Sequence, residues 1–463
     1  MSSFFHLFLI RLVLGLSNFN FIATASLPPV SLPPELIIEI LSLLDVKNIQ
    51  RFRCVSKLWN FLISDSSFIK MHLKKSSRNP HFILSAKEHS LYNFVLLPMR
   101  CLLENPSINV SGEIFQSPTH GISQVVGSCN GLICVLFNSV SSFKSKFTFC
   151  FWNPATRKIS KKLGIFYDYE PLIDPFKFCF GCDYITGDYK VVGLRVERKN
   201  QDLWISKVRV FSLGDNCWQE IQSFPFVPLM RSDGVHFNGT VNWLSIHGAY
   251  ISMSDIEIFR TSMVDVKQFM IVSLDLSTKT YTQILLPEGF IEASCVEPSL
   301  RVMMDCLCFS HDFKRTQFVI WQMKEFGVPE SWTQLFRIEY FHLGVNNPQM
   351  ENGLFFVGFF KFETPLLPLS ISKDGNTLIL AHDEVDGAII YNKGDKRVKR
   401  TRISNDICLF SSIDYVESLV SIPWKSGDEN EDENENEEEY FLWQIEDLLV
   451  EIDRQINSGI DLY

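Results

Sequence analysis

The chain has 463 residues, which exceeds one ordinary hydrophobic core and suits two or three domains or one large repeat fold. Hydrophobic residues make up 46% and aromatic residues 13% of the sequence, which supports a packed interior and excludes a largely disordered chain. The net charge of −10 is unevenly distributed, because residues 47–78 carry eight basic side chains and one acidic side chain. A basic segment this local fits an acidic protein partner better than a nucleic acid.

Residues 1–27 form an apolar N-terminal extension, in which Ala23-Thr24-Ala25 is similar to a signal-peptidase site. No basic residue precedes the apolar stretch, and Arg11 interrupts it. Its uninterrupted pieces are too short to span a bilayer, so no membrane association is expected. The extension by itself leaves a secreted protein open as an alternative.

Residues 28–75 have the apolar spacing of several short helices. Pro33 and Pro34 fall in the first turn of the first helix, where proline is tolerated, and Ser66 and Ser67 precede the fourth helix. Candidate N-caps of the first three helices are Ser31, Asp45 and Ser56. The first helix carries one wide apolar stripe, formed by Leu36, Ile37, Ile40, Leu41 and Leu44. So small a unit cannot bury this many apolar side chains alone, and we expect it to bind a partner.

The frame LPPELIIEILSLL, followed by VSKLWNFLI, resembles an F-box over the whole length of that motif. The Leu-Pro start, the first-helix stripe and the later Val55 and Trp59 occur in the family's order. The resemblance implies docking to an acidic Skp-type adaptor, and through it to a cullin and a ubiquitin ligase. Trp59 is expected in the core of the unit. The resemblance implies adaptor-binding roles for Leu32, Pro33, Leu36, Ile40 and Leu41.

Beyond Arg78 the apolar period changes from 3.6 to 2, which indicates β-strands. One unit recurs five times: a strand with a Gly-containing turn, then an apolar strand and a polar return strand. The apolar strands begin near residues 149, 208, 270, 318 and 388.

Four-stranded units of this kind bury both faces when they are stacked radially, which predicts a large all-β, β-propeller-like domain over residues 79–424. With the helices in front, the chain is an α+β multidomain protein. Residues 81–97 and 407–420 can together supply a sixth blade that closes the ring. A pair of stacked antiparallel sheets is the alternative architecture.

The same region is similar to the F-box-associated domain of plant F-box proteins. The similarity rests on GSCNGLICV, FWNPATRK, FGCDYITGDYKVV, VRVFSLGDNCWQEI, FNGTVNWL and YVESLV. The paired-glycine signature of kelch repeats is missing, which favours the plant-type associated domain.

The twelve cysteines are scattered, several within apolar strands, and we interpret them as reduced core thiols. CFGC (179–182) has metal-ligand spacing but no second ligand pair, and CLC (306–308) fits a strand face. NPATRK (153–158) is favourable turn chemistry. No enzyme site, metal site or cofactor is expected.

Target recognition is expected on irregular loops of the β domain, namely residues 166–178, 223–234 and 246–262. The first mixes aromatic and acidic side chains, which suits a basic or peptide-like target. Its candidate target-binding residues are Tyr167, Asp168, Tyr169, Glu170 and Asp174.

The C-terminal region departs from the family pattern. Residues 426–439 are predicted to form an acidic disordered linker, and residues 440–457 an amphipathic helix that folds back or pairs with another chain. The apolar face of this helix comprises Phe441, Ile445, Leu448, Leu449, Ile452 and Ile456.

Together these features predict a non-catalytic substrate-recognition subunit of a Skp–cullin–F-box ubiquitin ligase in the cytoplasm, the nucleus or both. Its expected partners are the adaptor, a cullin through that adaptor, and a target protein. The alternatives are an F-box scaffold or decoy without ubiquitination, and a secreted propeller.

Overall fold

The computed structural model describes residues 33–54, 57–76, 80–88, 91–105, 107–108, 114–116, 122–140, 144–168, 176–200, 203–229, 233–248, 265–294, 296–345, 366–382, 387–403 and 407–423. The predicted N-terminal extension, acidic linker and C-terminal helix lie outside these residues, as do Ser31 and Ser56. Within them, a small helical unit precedes a large all-β domain, as the sequence predicts.

The helical unit contains α1 (Pro34–Leu41), α2 (Val46–Phe52), α3 (Lys57–Ser64) and α4 (Ser66–Ser76). Asp45 caps α2, because its carboxylate accepts the Asn48 N–H at 2.7 Å, which confirms the predicted cap. Asp65 does the same for α4, accepting the N–H groups of Ser67 and Phe68 at 2.9 and 3.3 Å. Trp59 is buried and its ring lies 5.4 Å from that of Phe52, so its predicted core position is confirmed.

Among the described residues, the strands form six sheets, which we number as blades. Blade 1 contains β27 (Ile407–Tyr415), β1 (His81–Glu88), β2 (Leu91–Pro98) and β4 (Ile114–Gln116). Blade 2 contains β5 (Ile122–Cys129), β6 (Leu132–Val140), β7 (Ser145–Asn153), β8 (Lys158–Ile159) and β9 (Leu163–Asp168). Blade 3 contains β10 (Lys177–Cys182), β11 (Tyr189–Asn200), β12 (Leu203–Ser212) and β13 (Cys217–Phe224).

Blade 4 contains β14 (Phe226–Pro228), β15 (Val235–Phe237), β16 (Thr240–His247), β17 (Phe269–Asp275) and β18 (Tyr281–Ile284). Blade 5 contains β19 (Ser299–Met303), β20 (Cys306–Phe313), β21 (Gln317–Met323) and β22 (Trp332–Glu339). Blade 6 contains β23 (Leu367–Ile371), β24 (Thr377–Ala381), β25 (Gly387–Asn392), β26 (Val398–Ile403) and β3 (Ser107–Ile108). Short helices α5 (Met99–Glu104) and α6 (Tyr340–Leu343) follow β2 and β22.

The blades are arranged in a closed ring, which confirms the predicted propeller and excludes two stacked sheets. Alternate residues of one strand face the two neighbouring blades: Phe82 and Leu84 pack against blade 6, whereas Ile83 packs against blade 2. An apolar cluster of this kind fills each of the six blade interfaces. The first and last strands close the ring in antiparallel pairing, with His81 opposite Tyr415, as predicted for the sixth blade.

The two faces of the ring differ in their connections. The innermost strands contact one another around the ring, for example β5 with β10 and β27 with β5. At their C-terminal ends the turns within each blade are short, such as Asn130-Gly131 after β5, and the helical unit packs here; we call this the proximal face. The long connections that follow Asp168, His247, Ile284 and Leu343 leave at the opposite end, the distal face.

Candidate functional site

The helical unit presents large apolar side chains to the surface. Leu36 is 51% exposed, Leu43 61%, Leu58 58% and Phe61 72%. Leu58 and Phe61 are three residues apart on α3 and therefore share one side of that helix. Exposed side chains of this size on a unit with a completed core mark a surface for protein binding.

The predicted adaptor-binding residues separate into surface and core. Pro33 and Leu36 are exposed, and Ile40 is half-buried. Leu41 is 1% exposed and packs in the core of the helical unit, so its predicted adaptor contact was wrong. The apolar stripe of α1 is wider than the partner-facing side, since part of it closes the core. Leu32 lies outside the described residues.

The helical unit also carries five exposed basic side chains on α2, α3 and α4, and we call them the basic set. They occur at helical spacing, Lys47 with Arg51 on α2 and Lys70 with Lys74 on α4, while Lys57 begins α3. Residues four apart share a helix side, so α2 and α4 each carry a basic stripe. Such stripes attract an acidic partner and accelerate its association.

His72 ties α4 to the turn after α1. It is 1% exposed, and its Nε2 lies 2.8 Å from the Leu44 carbonyl oxygen. Burial lowers the pKa of His72 below its ordinary value. Lys75 also bridges the elements, donating to Glu39 and Ser42 of the α1 region, each at 2.6 Å.

A C-terminal segment, residues 416–423, which we call the strap, runs between the helical unit and blade 2. Asn153 is completely buried, and its Nδ2 donates to the Ser418 and Val420 carbonyl oxygens at 3.1 and 2.8 Å. Leu419 enters the core of the helical unit. Asn153 belongs to the NPATRK turn, on which α2 also packs, so this turn anchors the helices as well as turning the chain.

Gly131 makes room for the strap. Asn130 and Gly131 both have positive φ values, 51° and 81°, as the two-residue turn between β5 and β6 requires. A Cβ added at Gly131 would lie 2.2 Å from Ser418 Oγ. Two motifs chosen from the sequence, CNGL and NPAT, therefore meet at the strap. Sequence reasoning missed this convergence, because the strap is distant from both motifs in the chain.

The first predicted target-binding loop is partly a strand. Tyr167 and Asp168 belong to β9, and Asp168 is buried in an ion pair with Arg195 at 2.7 Å, so its predicted loop position was wrong. Arg195, Glu197 and Lys207 line an adjoining cleft of about 250 Å³ beside Tyr167. Arg195 lies on blade 3 and Asp168 on blade 2, so this ion pair could not be predicted from the sequence. Tyr169, Glu170 and Asp174 lie outside the described residues.

The other two predicted loops are also partly strands in the structure. In residues 223–234, Phe226–Pro228 form β14, an inner strand of blade 4. The ladder with β16 stops at Leu229 and resumes at Val235, so both ends of this predicted loop pair with the same strand of blade 4. In residues 246–262, Ile246 and His247 end β16, and the connection then leaves at the distal face.

Of the cysteines that the structure describes, six are buried as predicted, Cys101 and Cys306 are half-buried, and Cys54 and Cys217 are exposed, so the predicted core position was wrong for the last two. All ten for which the structure describes a state are free. Cys179 and Cys182 belong to clusters on opposite sides of blade 3, so CFGC does not form a chelating pair. Throughout the described ranges, no group of three potential ligands is placed to hold a metal ion.

The nearest arrangement to a nucleophilic dyad is Cys129 beside His236, with 3.7 Å between Sγ and Nδ1. The neighbouring Cys182 side chain, followed by burial, raises the pKa of the Cys129 thiol, which keeps it neutral. Burial lowers the pKa of His236 to about 4. A neutral thiol beside a weakly basic imidazole is a packing contact and does not provide an activated nucleophile.

Comparison with known families identifies both domains. Residues 83–422 match the F-box associated β-propeller domain, and residues 30–71 match the F-box domain. An F-box/kelch-repeat protein of Arabidopsis thaliana is 27% identical over 67% of this chain and 80% of its own length. The Arabidopsis F-box protein CPR1 is 25% identical over 67% of this chain and 73% of its length.

Solved structures resemble the chain weakly. TolB from Acinetobacter baumannii superposes with a TM-score of 0.39 at 8% identity, over 76% of this chain and 73% of that chain. A similarity at this level supports no conclusion about function. In the part of the chain that the structure describes, no helix is both long and apolar enough to cross a membrane. On the two domain matches, which cover most of the sequence in the expected order, the chain belongs to the plant F-box proteins with an F-box-associated β-propeller domain.

Proposed function

We propose that the protein is the substrate-recognition subunit of a Skp–cullin–F-box ubiquitin ligase. The observation that carries this proposal is the apolar surface of the helical unit, which stays exposed although the unit has its own core and packs on the propeller. A Skp-type adaptor covers this surface and links the chain to a cullin. The F-box domain match supports the adaptor, and the position of the surface at one end of the ring leaves the distal face accessible.

The adaptor contacts comprise Pro33, Leu36 and Ile40 from the predicted set, together with Leu32 before them. Leu43, Leu58 and Phe61 extend the same role, because they are the other large exposed apolar side chains of the helical unit. Large, central apolar side chains dominate the affinity of such interfaces, whereas charged side chains at the rim mainly affect association rates.

Target binding is assigned to the distal face, where the long connections leave the sheets. The helical unit occupies the proximal face, so adaptor and target can bind at the same time. Ubiquitin transfer then gains its rate from proximity of the target lysine to the recruited conjugating enzyme, with no acid–base group of this chain required. Such a receptor acts in the cytoplasm, the nucleus or both.

Adaptor binding tests the proposal directly. In the full-length protein, Leu36→Ala combined with Phe61→Ala should weaken the affinity for a Skp-type adaptor by at least about tenfold, measured by titration calorimetry. Leu285→Ala is the control, since Leu285 has an exposure of 61%, between those of Leu36 and Phe61, but directly follows the last strand of blade 4, away from the helical unit. No binding by the wild-type chain would overturn the proposal. Adaptor binding without ubiquitination of any captured protein would instead identify a scaffold or decoy.

A further inference from the structure

The described chain ends on the proximal face, where the helical unit packs on the propeller. Leu419 of the strap lies in the core of the helical unit, Val420 and Ile422 pack against the apolar cluster between blades 2 and 3, and Ser421 and Pro423 are exposed. Residues 424–463 follow Pro423 in the sequence and therefore start from the proximal face, which also carries the helical unit.

The charges of the two regions are complementary. Nine of the twelve residues in 428–439 are Asp or Glu. The basic set, Lys47, Arg51, Lys57, Lys70 and Lys74, is exposed on α2, α3 and α4. A run of like charges lowers its own repulsion by binding opposite charges, and several such contacts act together when the segment is tethered.

The length of the chain permits this contact. Five residues lead from Pro423 to Asp428, which at full extension span about 17 Å. The twelve residues 428–439 add about 40 Å at full extension, whereas α4, with 11 residues, is about 16 Å long. The acidic segment can therefore extend over a distance greater than the length of any helix in the helical unit.

The apolar pattern that follows is also complementary to the helical unit. Residues 440–456 place Phe441, Leu448 and Leu449 on one side of a predicted helix. Large side chains of this kind match Leu36, Leu43, Leu58 and Phe61, the exposed apolar residues of the helical unit. An amphipathic helix that lies in an apolar groove is a common mode of recognition.

A second basic surface, on the outer strand of blade 6, is less suited to the acidic segment. Its Lys399 donates to the Leu103 carbonyl oxygen at 3.0 Å, and its Arg400 to the Gly344 carbonyl oxygen at 2.6 Å. These charges already stabilise the C-terminal ends of α5 and α6. The basic set lies on the same unit as the exposed apolar side chains Leu36, Leu43, Leu58 and Phe61.

We propose that residues 428–439 bind the basic set of the same chain and that residues 440–456 cover its exposed apolar side chains. The C-terminal region thereby occupies the adaptor-binding surface and inhibits docking until an adaptor displaces it. The intramolecular contact stands on the charges, reach and exposure described above. The inhibitory effect rests on the proposed function.

Carbodiimide cross-linking of the full-length protein tests the contact, because it joins a carboxylate to a lysine only where the two meet. Mass spectrometry should find links from residues 428–439 to Lys47, Lys57, Lys70 or Lys74, lost near 1 M salt, where the screening length falls to about 3 Å. A mixture of light and heavy-isotope protein separates links within one chain from links between chains. Links confined to the blade 6 lysines Lys393, Lys396 and Lys399, or found only between chains, would overturn the proposal.

Charge variants provide the matched comparison. Replacing all nine acidic residues of 428–439 by Asn or Gln in the full-length chain should abolish the links to the helical unit and increase exchange of its amide hydrogens. A variant with the same twelve residues in scrambled order keeps the charge and should retain that protection. Reversing the charge of both partners, acids to Lys and the basic set to Glu, should restore it. Equal exchange in wild-type and neutralised proteins would contradict the contact.

Adaptor affinity tests the inhibitory effect separately. The neutralised variant should bind a Skp-type adaptor about threefold to tenfold more tightly than wild type, as expected when a few tethered ion pairs no longer compete. Unchanged affinity would overturn the inhibition. An adaptor that binds neither protein would instead contradict the proposed function, while the cross-links would still report the intramolecular contact.

Discussion

His311 illustrates how the fold fixes the protonation state of a single side chain. It is 3% exposed on β20, where its Nε2 accepts the Trp321 Nε1–H at 3.2 Å and its Nδ1 donates to the Asp312 carbonyl oxygen at 2.9 Å. This pair of bonds requires the neutral imidazole. Burial, assisted by the positive charge of Arg337, lowers the pKa of His311 to about 4.

Stability should therefore decrease as the pH falls below about 6.5, the ordinary histidine pKa. Between about pH 6.5 and pH 4, His311 is protonated in the unfolded chain but neutral in the native protein. The contribution of neutral His311 to the free energy of unfolding is therefore fully present above pH 6.5 and decreases steadily as the pH falls towards 4. Within this window His311 should remove about 1.4 kcal/mol of unfolding free energy per pH unit. Guanidinium titrations at several pH values measure the slope.

His311→Gln should reduce that slope, since an amide can accept from Trp321 and donate to Asp312 without titrating. The exposed Gln334→Asn is the control, because neither amide titrates, and it should leave the slope unchanged. Identical slopes for wild type and His311→Gln would show that another group dominates.

The structural role of a single residue could be predicted only where its neighbours in the sequence determine that role. The Asp45 cap was predictable because donor and acceptor are three residues apart. Asp168 was misplaced because its partner Arg195 belongs to another blade, and Leu41 because one apolar stripe serves both core and surface. The positions of such side chains are determined by contacts between residues far apart in the sequence, and a single sequence does not show which of these residues meet.

Among the described elements, the strap connects the helical unit to the propeller. It touches blade 2 through Asn153 and the helical unit through Leu419, while Gly131 provides the space that it fills. The F-box orientation relative to the propeller therefore depends on a segment from the far end of the chain. Sequence reasoning predicted strands and turns from periodicity, but an extended segment without periodic pattern gives no comparable signal.

Asn153→Ala should reduce the free energy of unfolding by about 2–3 kcal/mol, because it leaves buried carbonyl groups of the strap without a donor. Hydrogen exchange should also rise in residues 416–423. Asn376→Ala is the control, because Asn376 bonds Asp374 within an exposed turn and should cost little. A variant as stable as wild type, with unchanged exchange in the strap, would contradict the anchoring role.

At the scale of the whole molecule, the ring is closed by pairing between β1 and β27. The innermost strand of blade 1, β27, is the last strand among the described residues, and it pairs with β1, the first of them, from His81 to Ala86. This closure was predictable because 81–97 lacked partners locally and 407–420 offered a compatible strand. The positions of the distal connections were less predictable, since β9 and β14 extend into segments with loop-like composition.

Removing β27 should therefore open the ring. A chain ending at residue 406 should lose the cooperative thermal unfolding transition and become sensitive to proteases, because both interfaces of blade 1 lose buried residues. A chain ending at residue 423 keeps β27 and the strap and should unfold cooperatively. Equal protease resistance of the two truncated chains would contradict closure by β27.

The contact between the strap and the helical unit has a consequence for protein synthesis. Among the described elements the helices leave the ribosome first, yet Leu419, which completes their core, is made after the whole propeller, following an interval on the order of tens of seconds. A product of premature termination keeps the F-box sequence but lacks the strap that orients it. The helical unit is therefore correctly oriented on the propeller only after the whole propeller has been synthesised.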